Sequence, residues 1–216
     1  PLIVSSVRDI LVESPKPERT EEMLDNVSCN YDLVLVHGDP ALIPFEDTFP
    51  HAVRIEDKVR YTGYVVDRSG RSESPDALPG VTPGVQEVLV SAGGGAVSEP
   101  LLNAALEARE LSVLRSHPWR FLVGYNLPDE RMAAFAARAA EGVVVERARP
   151  DFVRLLRGAA LSVSQGGYNT VMEVLDDGVR ALVEPYAGGR ETEQTERAEL
   201  LSERGLLEPV REDDLS

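Results

Sequence analysis

From Val85 onward the chain alternates short apolar runs with stretches of helical period, and this rhythm sets the first expectation. Glu87 to Ser91 (EVLVS), Trp119 to Val123 (WRFLV), Val143 to Val145, Leu161 to Ser164 and Ala181 to Glu184 read as strands. Between them, Glu99 to Leu114, Pro128 to Ala140, Pro150 to Arg157 and Asn169 to Leu175 carry helical spacing. Arg190 to Arg204 reads as a last helix, stopped by Gly205. Strands alternating with helices over this length predict an α/β fold built on a doubly wound parallel sheet.

Upstream the pattern is sparser. Leu2 to Ser6 (LIVSS), Leu33 to His37 (LVLVH) and Val59 to Val66 (VRYTGYVV) are buried-strand runs. Asp67 to Gly84 is rich in Ser, Pro and Gly, the composition of a linker. The reading is therefore a partial α/β domain over 1–66, a linker over 67–84 and a larger α/β domain over 85–216. The first piece has too few elements to close a sheet of its own. The chain also opens on Pro1, so a fragment lacking earlier strands is the expectation.

Composition narrows the function classes. A net charge of -15 argues against nucleic acid as a partner, because a phosphate backbone would be repelled by most of the surface. Small anionic ligands are not excluded, since a local nest of backbone N–H groups binds them on an acidic protein. Cys29 is the single cysteine, which fits a reducing cytoplasm, and no apolar run reaches the length of a membrane span. His37, His51 and His117 are scattered without the paired spacing of a zinc site.

Two expected strand ends are glycine-rich, and ligands gather at the carboxyl ends of parallel strands. Gly93, Gly94 and Gly95 follow one strand and precede a helix; they suit either phosphate binding or a plain flexible turn. They do not make a dinucleotide fingerprint, because the third glycine of G-x-G-x-x-G would fall on Ser98 and no acidic residue ends the next strand. The second end is Ser164, Gln165, Gly166, Gly167, Tyr168 and Asn169. Just beyond it Thr170 and Glu173, three apart, share one helix face, while Val171, Val174 and Leu175 take the face suited to a core. A glutamate there could accept two ribose hydroxyls, or simply be an ordinary polar residue supporting the helix start. Ser162 to Gly166 is one residue short of a nucleophile elbow, but no histidine follows His117 to complete a serine hydrolase. No D-x-D pattern is present to hold a divalent metal against a diphosphate.

The stretch LSVSQGGYNTVMEVLDDGVRALVEPYAGGRETEQTERAELLSERG resembles the Rossmann-like donor-binding domain of the two-domain (GT-B) glycosyltransferases, family 28 in particular. That family includes the N-acetylglucosaminyl transferase of peptidoglycan lipid intermediates. Its pattern S-x-x-G-x-x-T-x-x-E is met by Ser164, Gly167, Thr170 and Glu173. G-x-P-x-L-x-x-P follows at Gly178, Leu182 and Pro185, with Arg180 in place of proline, and the later glutamine is Gln194. The N-terminal stretches are similar to segments that close the acceptor domain in a group of predicted glycosyltransferases.

The resemblance implies roles. Glu173 would bind the ribose, and Gly167 and Thr170 would line the nucleotide–diphosphate site, with Ser164, Gly166 and Asn169 in the same substrate-binding turn. Glu193 and Gln194 would touch donor-sugar hydroxyls, and Gly93 to Gly95 would face the diphosphate or the cleft. The activity implied is transfer of a hexosyl group from a nucleotide-diphosphate sugar, UDP-linked as first choice, to an acceptor that is lipid-linked or small. Loop N–H groups would stabilise the leaving diphosphate without metal or cofactor. Asp9, ending the first strand, is a weak candidate for the catalytic base, set against a structural Arg8–Asp9 pair; His37 also ends a strand, or only opens a turn. The acceptor-activating residue often lies in an early N-terminal domain that this chain lacks, so the base stays unassigned and the chain alone is expected to bind nucleotide but transfer poorly. The alternatives are a nucleotide-sugar hydrolase or 2-epimerase on the same fold, and a non-catalytic sugar- or partner-binding protein. A cytoplasmic location is expected, with peripheral contact at the inner membrane face left open for a longer form.

Overall fold

The computed structural model describes residues 1–66, 68, 74–93, 99–186 and 192–215. The chain divides into two compact units, Pro1–Val65 with Ala187–Leu201, and Val66–Tyr186 with Ser202–Ser216.

The first unit holds a parallel sheet of three strands in the order β1-β2-β3, with β1 at Val4–Arg8, β2 at Leu33–His37 and β3 at Val59–Tyr61. β3 is shorter than VRYTGYVV suggests because Gly63, at φ 73°, turns the chain out of the extended region. Val34 and Val36 point into a core with Leu24, Phe45, Phe49, Ala52 and Ile55. Leu24 belongs to α1 (Pro17–Asn30), a helix the apolar pattern does not announce: Thr20 and Leu24 are its only buried residues, and its other positions are mostly polar. Pro17 at its first turn supplies the start signal instead. Phe45 opens the one-turn helix α2 (Phe45–Thr48).

The second unit is a six-stranded parallel sheet in the order β6-β5-β4-β7-β8-β9. Its strands are β4 (Glu87–Ala92), β5 (Trp119–Val123), β6 (Val143–Arg147), β7 (Ala159–Gln165), β8 (Ala181–Glu184) and β9 (Glu208–Pro209). Four helices alternate with them: α3 (Glu99–Ala108), α4 (Asp129–Ala136), α5 (Phe152–Arg157) and α6 (Tyr168–Asp177). Every residue of β5 is buried, as expected of a strand covered on both faces. Val88, Val90, Phe121, Val123, Leu101, Leu102 and Phe135 form the main core. The doubly wound α/β fold expected from the rhythm is therefore present.

Boundaries differ where local chemistry overrides periodicity. α3 ends at Ala108 and gives way to a 3-10 turn at Arg109–Leu111, leaving Leu111 and Val113 almost fully exposed rather than on a helix face. α4 likewise ends at Ala136. The last helix, α7 (Glu193–Ser202), groups with the first unit through Leu201, although β8 before it and the chain from Ser202 onward belong to the second.

The segment from Ser74 to Gly84 is bonded to the second unit. Arg154 donates to Ser74 O at 2.9 Å, Arg149 to Pro79 O at 3.0 Å and Arg120 to Gly80 O at 2.7 Å. Arg120, the second residue of β5 and 1% exposed, also holds Glu87 of β4 and Glu146 of β6. Among the described residues no helix is long and apolar enough to cross a membrane.

Candidate functional site

The order of the second sheet decides where a ligand goes. From β4 the chain steps outward to β5 and β6, then returns to β7 on the other side of β4 and steps outward to β8 and β9. The direction reverses between β4 and β7, and in open α/β sheets such a reversal is where a ligand crevice is expected, at the carboxyl ends of the strands. Gly93, after β4, and the Gly166–Gly167 turn, after β7, lie at those ends. Ser91 of β4 is in register with Ser164 of β7, and Gly93 follows directly. A Cβ added at Gly93 would lie 3.2 Å from Gln165 Oε1, so a side chain would crowd the neighbouring turn. Gln165 is a neighbour the sequence reading passed over. Gly94 and Gly95 lie outside the described residues.

On the β7 side, Ser164 is fully buried, and among the described residues its Oγ has no hydrogen-bond partner. Gly166 N–H donates to Glu184 O at 2.8 Å, tying the turn to β8. Gly167 caps α6 at φ -60°, ψ 139°, and no side chain caps the helix start. The first turn of α6 also carries no acidic residue. The positive end of the helix dipole at such a start favours an anion. Asn169 is exposed at this end; Thr170 and Glu173 are half-buried, and Val171, Met172 and Val174 fill the core behind them.

Two glycines of this helix serve different ends. Gly178 ends α6 at φ 65°, a left-handed position, with nothing within 4 Å of an added Cβ. Gly167 has backbone angles any residue adopts, and likewise nothing described within 4 Å. Neither strain nor packing requires glycine at 167. The expected result is that Gly178→Ala lowers stability by about 1 kcal/mol, from the left-handed backbone alone. Gly167→Ala is expected to leave the thermal midpoint nearly unchanged and to weaken anion binding. Parallel melts and titrations of the two variants check this.

Within the first unit, Asp9 and Arg197 are both fully buried and paired, Arg197 Nε to Asp9 Oδ2 at 3.0 Å and Nη2 to Oδ1 at 2.8 Å. The structural partner of Asp9 is thus Arg197, not its chain neighbour Arg8. Oδ1 also accepts from Ile10 N–H at 3.1 Å. Arg197 Nη2 reaches Glu193 Oε1 at 2.6 Å as well, and Arg8 Nη1 lies 3.6 Å from the same oxygen. Burial works against the charge of Arg197, but Asp9 and Glu193 outweigh it and hold its pKa above the ordinary arginine value. Gln194 follows on the same helix, half-buried. The Glu193–Arg197 spacing of four was the available signal for this pair, and the sequence reading did not use it. His37 is bonded to Ser6 Oγ at 2.6 Å and to Thr62 Oγ1 at 2.7 Å.

A cavity of about 430 Å3 lies elsewhere, on a sheet face of the second unit between Leu101, Ala105, Trp119, Leu161, Val163, Leu182 and Leu215. It is mostly apolar, with Glu107, Ser112, Glu184 and Asp214 also in its lining, and contains none of the candidate residues. The chemistry, not the cavity, marks the site.

A strand-order reversal with a glycine-rich turn and a glycine-capped helix start beside it marks a doubly wound α/β protein with a candidate ligand site at the strand ends. The comparisons carry this further. The profile of the Glycosyltransferase family 28 C-terminal domain matches residues 88–216, and the chain belongs to that family. Among solved structures it is similar to the glycotransferase of kitacinnamycin, at TM-score 0.62 and 16% identity, covering 96% of this chain and 57% of that one. Os79 from O. sativa in complex with UDP matches at 0.60 and 17% identity, covering 89% and 45%. MurG of Acinetobacter baumannii matches at 0.53 and 14% identity, covering 92% and 65%. The chain thus spans less than two thirds of each. These likenesses establish the fold, the Rossmann-like α/β architecture of GT-B glycosyltransferases. No curated protein is similar enough in sequence to be matched.

Proposed function

We propose that this chain carries the donor-binding part of a glycosyltransferase that moves a hexosyl group from a nucleotide-diphosphate sugar to an acceptor hydroxyl. Residues 85–216 supply the donor-binding domain, 1–66 belong to the acceptor side, and 67–84 connect them. The observation that carries the reading is the meeting of Gly93 with the Gln165–Gly167 turn at the β4/β7 reversal, beside the uncapped start of α6. An anion held there by backbone N–H groups is the diphosphate, and Glu173 along the helix accepts the ribose hydroxyls. Thr170 and Asn169 line the same helix end, with Ser164 and Gly166 in the turn beneath. Glu193 and Gln194 contact the sugar.

Such an arrangement stabilises the leaving diphosphate through oriented dipoles, so transfer proceeds without a bound metal. UDP is the first-choice nucleotide, in line with the UDP complex of the Os79 structure. The acceptor, lipid-linked or small, is chosen by the other side of the protein.

A two-dimensional NMR titration with UDP tests the reading. Amide resonances of residues 166–173 are expected to shift on addition of UDP, while those of the apolar cavity stay in place. Shifts confined to the cavity, or none at all, contradict it.

A further inference from the structure

We propose that Asp9 is a positioning residue for the donor-sugar contacts, acting through Arg197 on Glu193. The inference rests on the donor-site reading above and adds to it how the sugar-binding helix is held. It gives Asp9 a function other than that of a base.

Both oxygens of Asp9 are committed to Arg197, and Oδ1 also to the Ile10 amide, with no exposed surface on either partner. A fully buried carboxylate so engaged cannot reach an acceptor hydroxyl. What it does is fix a guanidinium. Arg197 cannot swing away without leaving a buried charge unpaired, so its Nη2 is a stationary donor. That donor takes Glu193 Oε1 at 2.6 Å, one helical turn back along α7. Arg8, more than half exposed, approaches the same oxygen from β1 at 3.6 Å. Arg197 and Arg8 thus meet the same oxygen from two elements, and the Glu193 side chain is held in one rotamer. Both described partners of Glu193 use Oε1, which presents Oε2 to a ligand hydroxyl. Gln194 shares that first helical turn.

Gly38 completes the device. A Cβ there would lie 3.0 Å from Asp9 Cβ and 3.3 Å from its Cα, so β2 can run this close to Asp9 only with glycine after His37. The His-Gly-Asp stretch therefore has a packing reason that extends to α7.

The test compares, by calorimetry, the nucleoside diphosphate the chain prefers, UDP in the first instance, with its glucose and N-acetylglucosamine esters. In Asp9→Asn the sugar nucleotides are expected to weaken about tenfold relative to UDP itself, the size of one charge-assisted hydrogen bond lost. Glu87→Gln, at the Arg120 cluster, removes a comparable buried charge; it is expected to lower the melting temperature without moving that ratio. If Asp9→Asn does not fold, Gly38→Ala displaces Asp9 without changing any charge and is expected to move the ratio in the same direction. An unchanged ratio in a folded variant overturns the inference and leaves the donor site standing. Failure of the unaltered chain to bind any nucleoside diphosphate removes the donor-site reading and this inference with it.

Discussion

Replacing Glu173 by alanine is expected to weaken nucleoside-diphosphate binding roughly a hundredfold, from the loss of two hydrogen bonds to a charged acceptor worth about 1.5–3 kcal/mol each. Glu173 lies one turn into α6 on the face of Thr170, away from the buried Val171 and Val174. Glutamine at the same position keeps the shape but not the charge and should fall between the two. Calorimetric titration of the three proteins with the same nucleotide reads the effect. Melting curves of the same variants separate lost affinity from lost stability. Unchanged affinity in both variants would favour a protein that keeps the fold with a degenerate pocket.

Stability should respond most to Arg120. Its guanidinium is inside the sheet, with Glu87 at 2.6 and 2.9 Å, Glu146 at 2.6 Å and Gly80 O at 2.7 Å. The bonds to Glu87 raise its pKa against the opposing effect of burial, and Glu146 adds to them. Arg120→Met leaves the partly buried Glu87 without its cation, and Glu146 with only Arg149 at 3.3 Å. The expected loss is about 3–5 kcal/mol, out of a total of about 5–15 kcal/mol for a domain. Adding Glu87→Leu and Glu146→Leu to the methionine variant should recover much of it, because a packed apolar cluster needs no counter-ion. Denaturant unfolding, read by Trp119, checks both, and a loss below about 1 kcal/mol in the single variant would contradict the reading. Because Arg120 also holds Gly80 O, the single variant should in addition raise proteolysis between Ser74 and Gly84.

The sequence announced some of this and withheld the rest for identifiable reasons. Strands of the second unit are continuous apolar runs because both sheet faces are covered, so β4, β5, β7 and β8 were plain. α1 was silent because it buries only Thr20 and Leu24. The end of α3 was overestimated because Leu111 and Val113 look like core residues in a periodic pattern, whereas the chain turns and exposes them. The Gly166–Gly167 turn and the Thr170–Glu173 face were legible as local chemistry. Their partner turn after β4 was legible only as composition, since nothing local says that β4 and β7 are neighbours. The Asp9–Arg197 pair joins residues 188 apart and is a product of tertiary structure alone. Arg8 beside Asp9 offered a nearer partner, and proximity in the chain was the wrong guide.

The central claim is that the β4/β7 crevice holds a nucleoside diphosphate by backbone N–H groups and a helix start. Calorimetric titration of the chain with UDP, GDP, TDP and CDP in buffer containing EDTA tests it most directly. Saturable binding of one of the four, selective over the others and unaffected by the chelator, is the predicted result. No binding to any of them, or binding that appears only when a divalent cation is restored, would contradict the account.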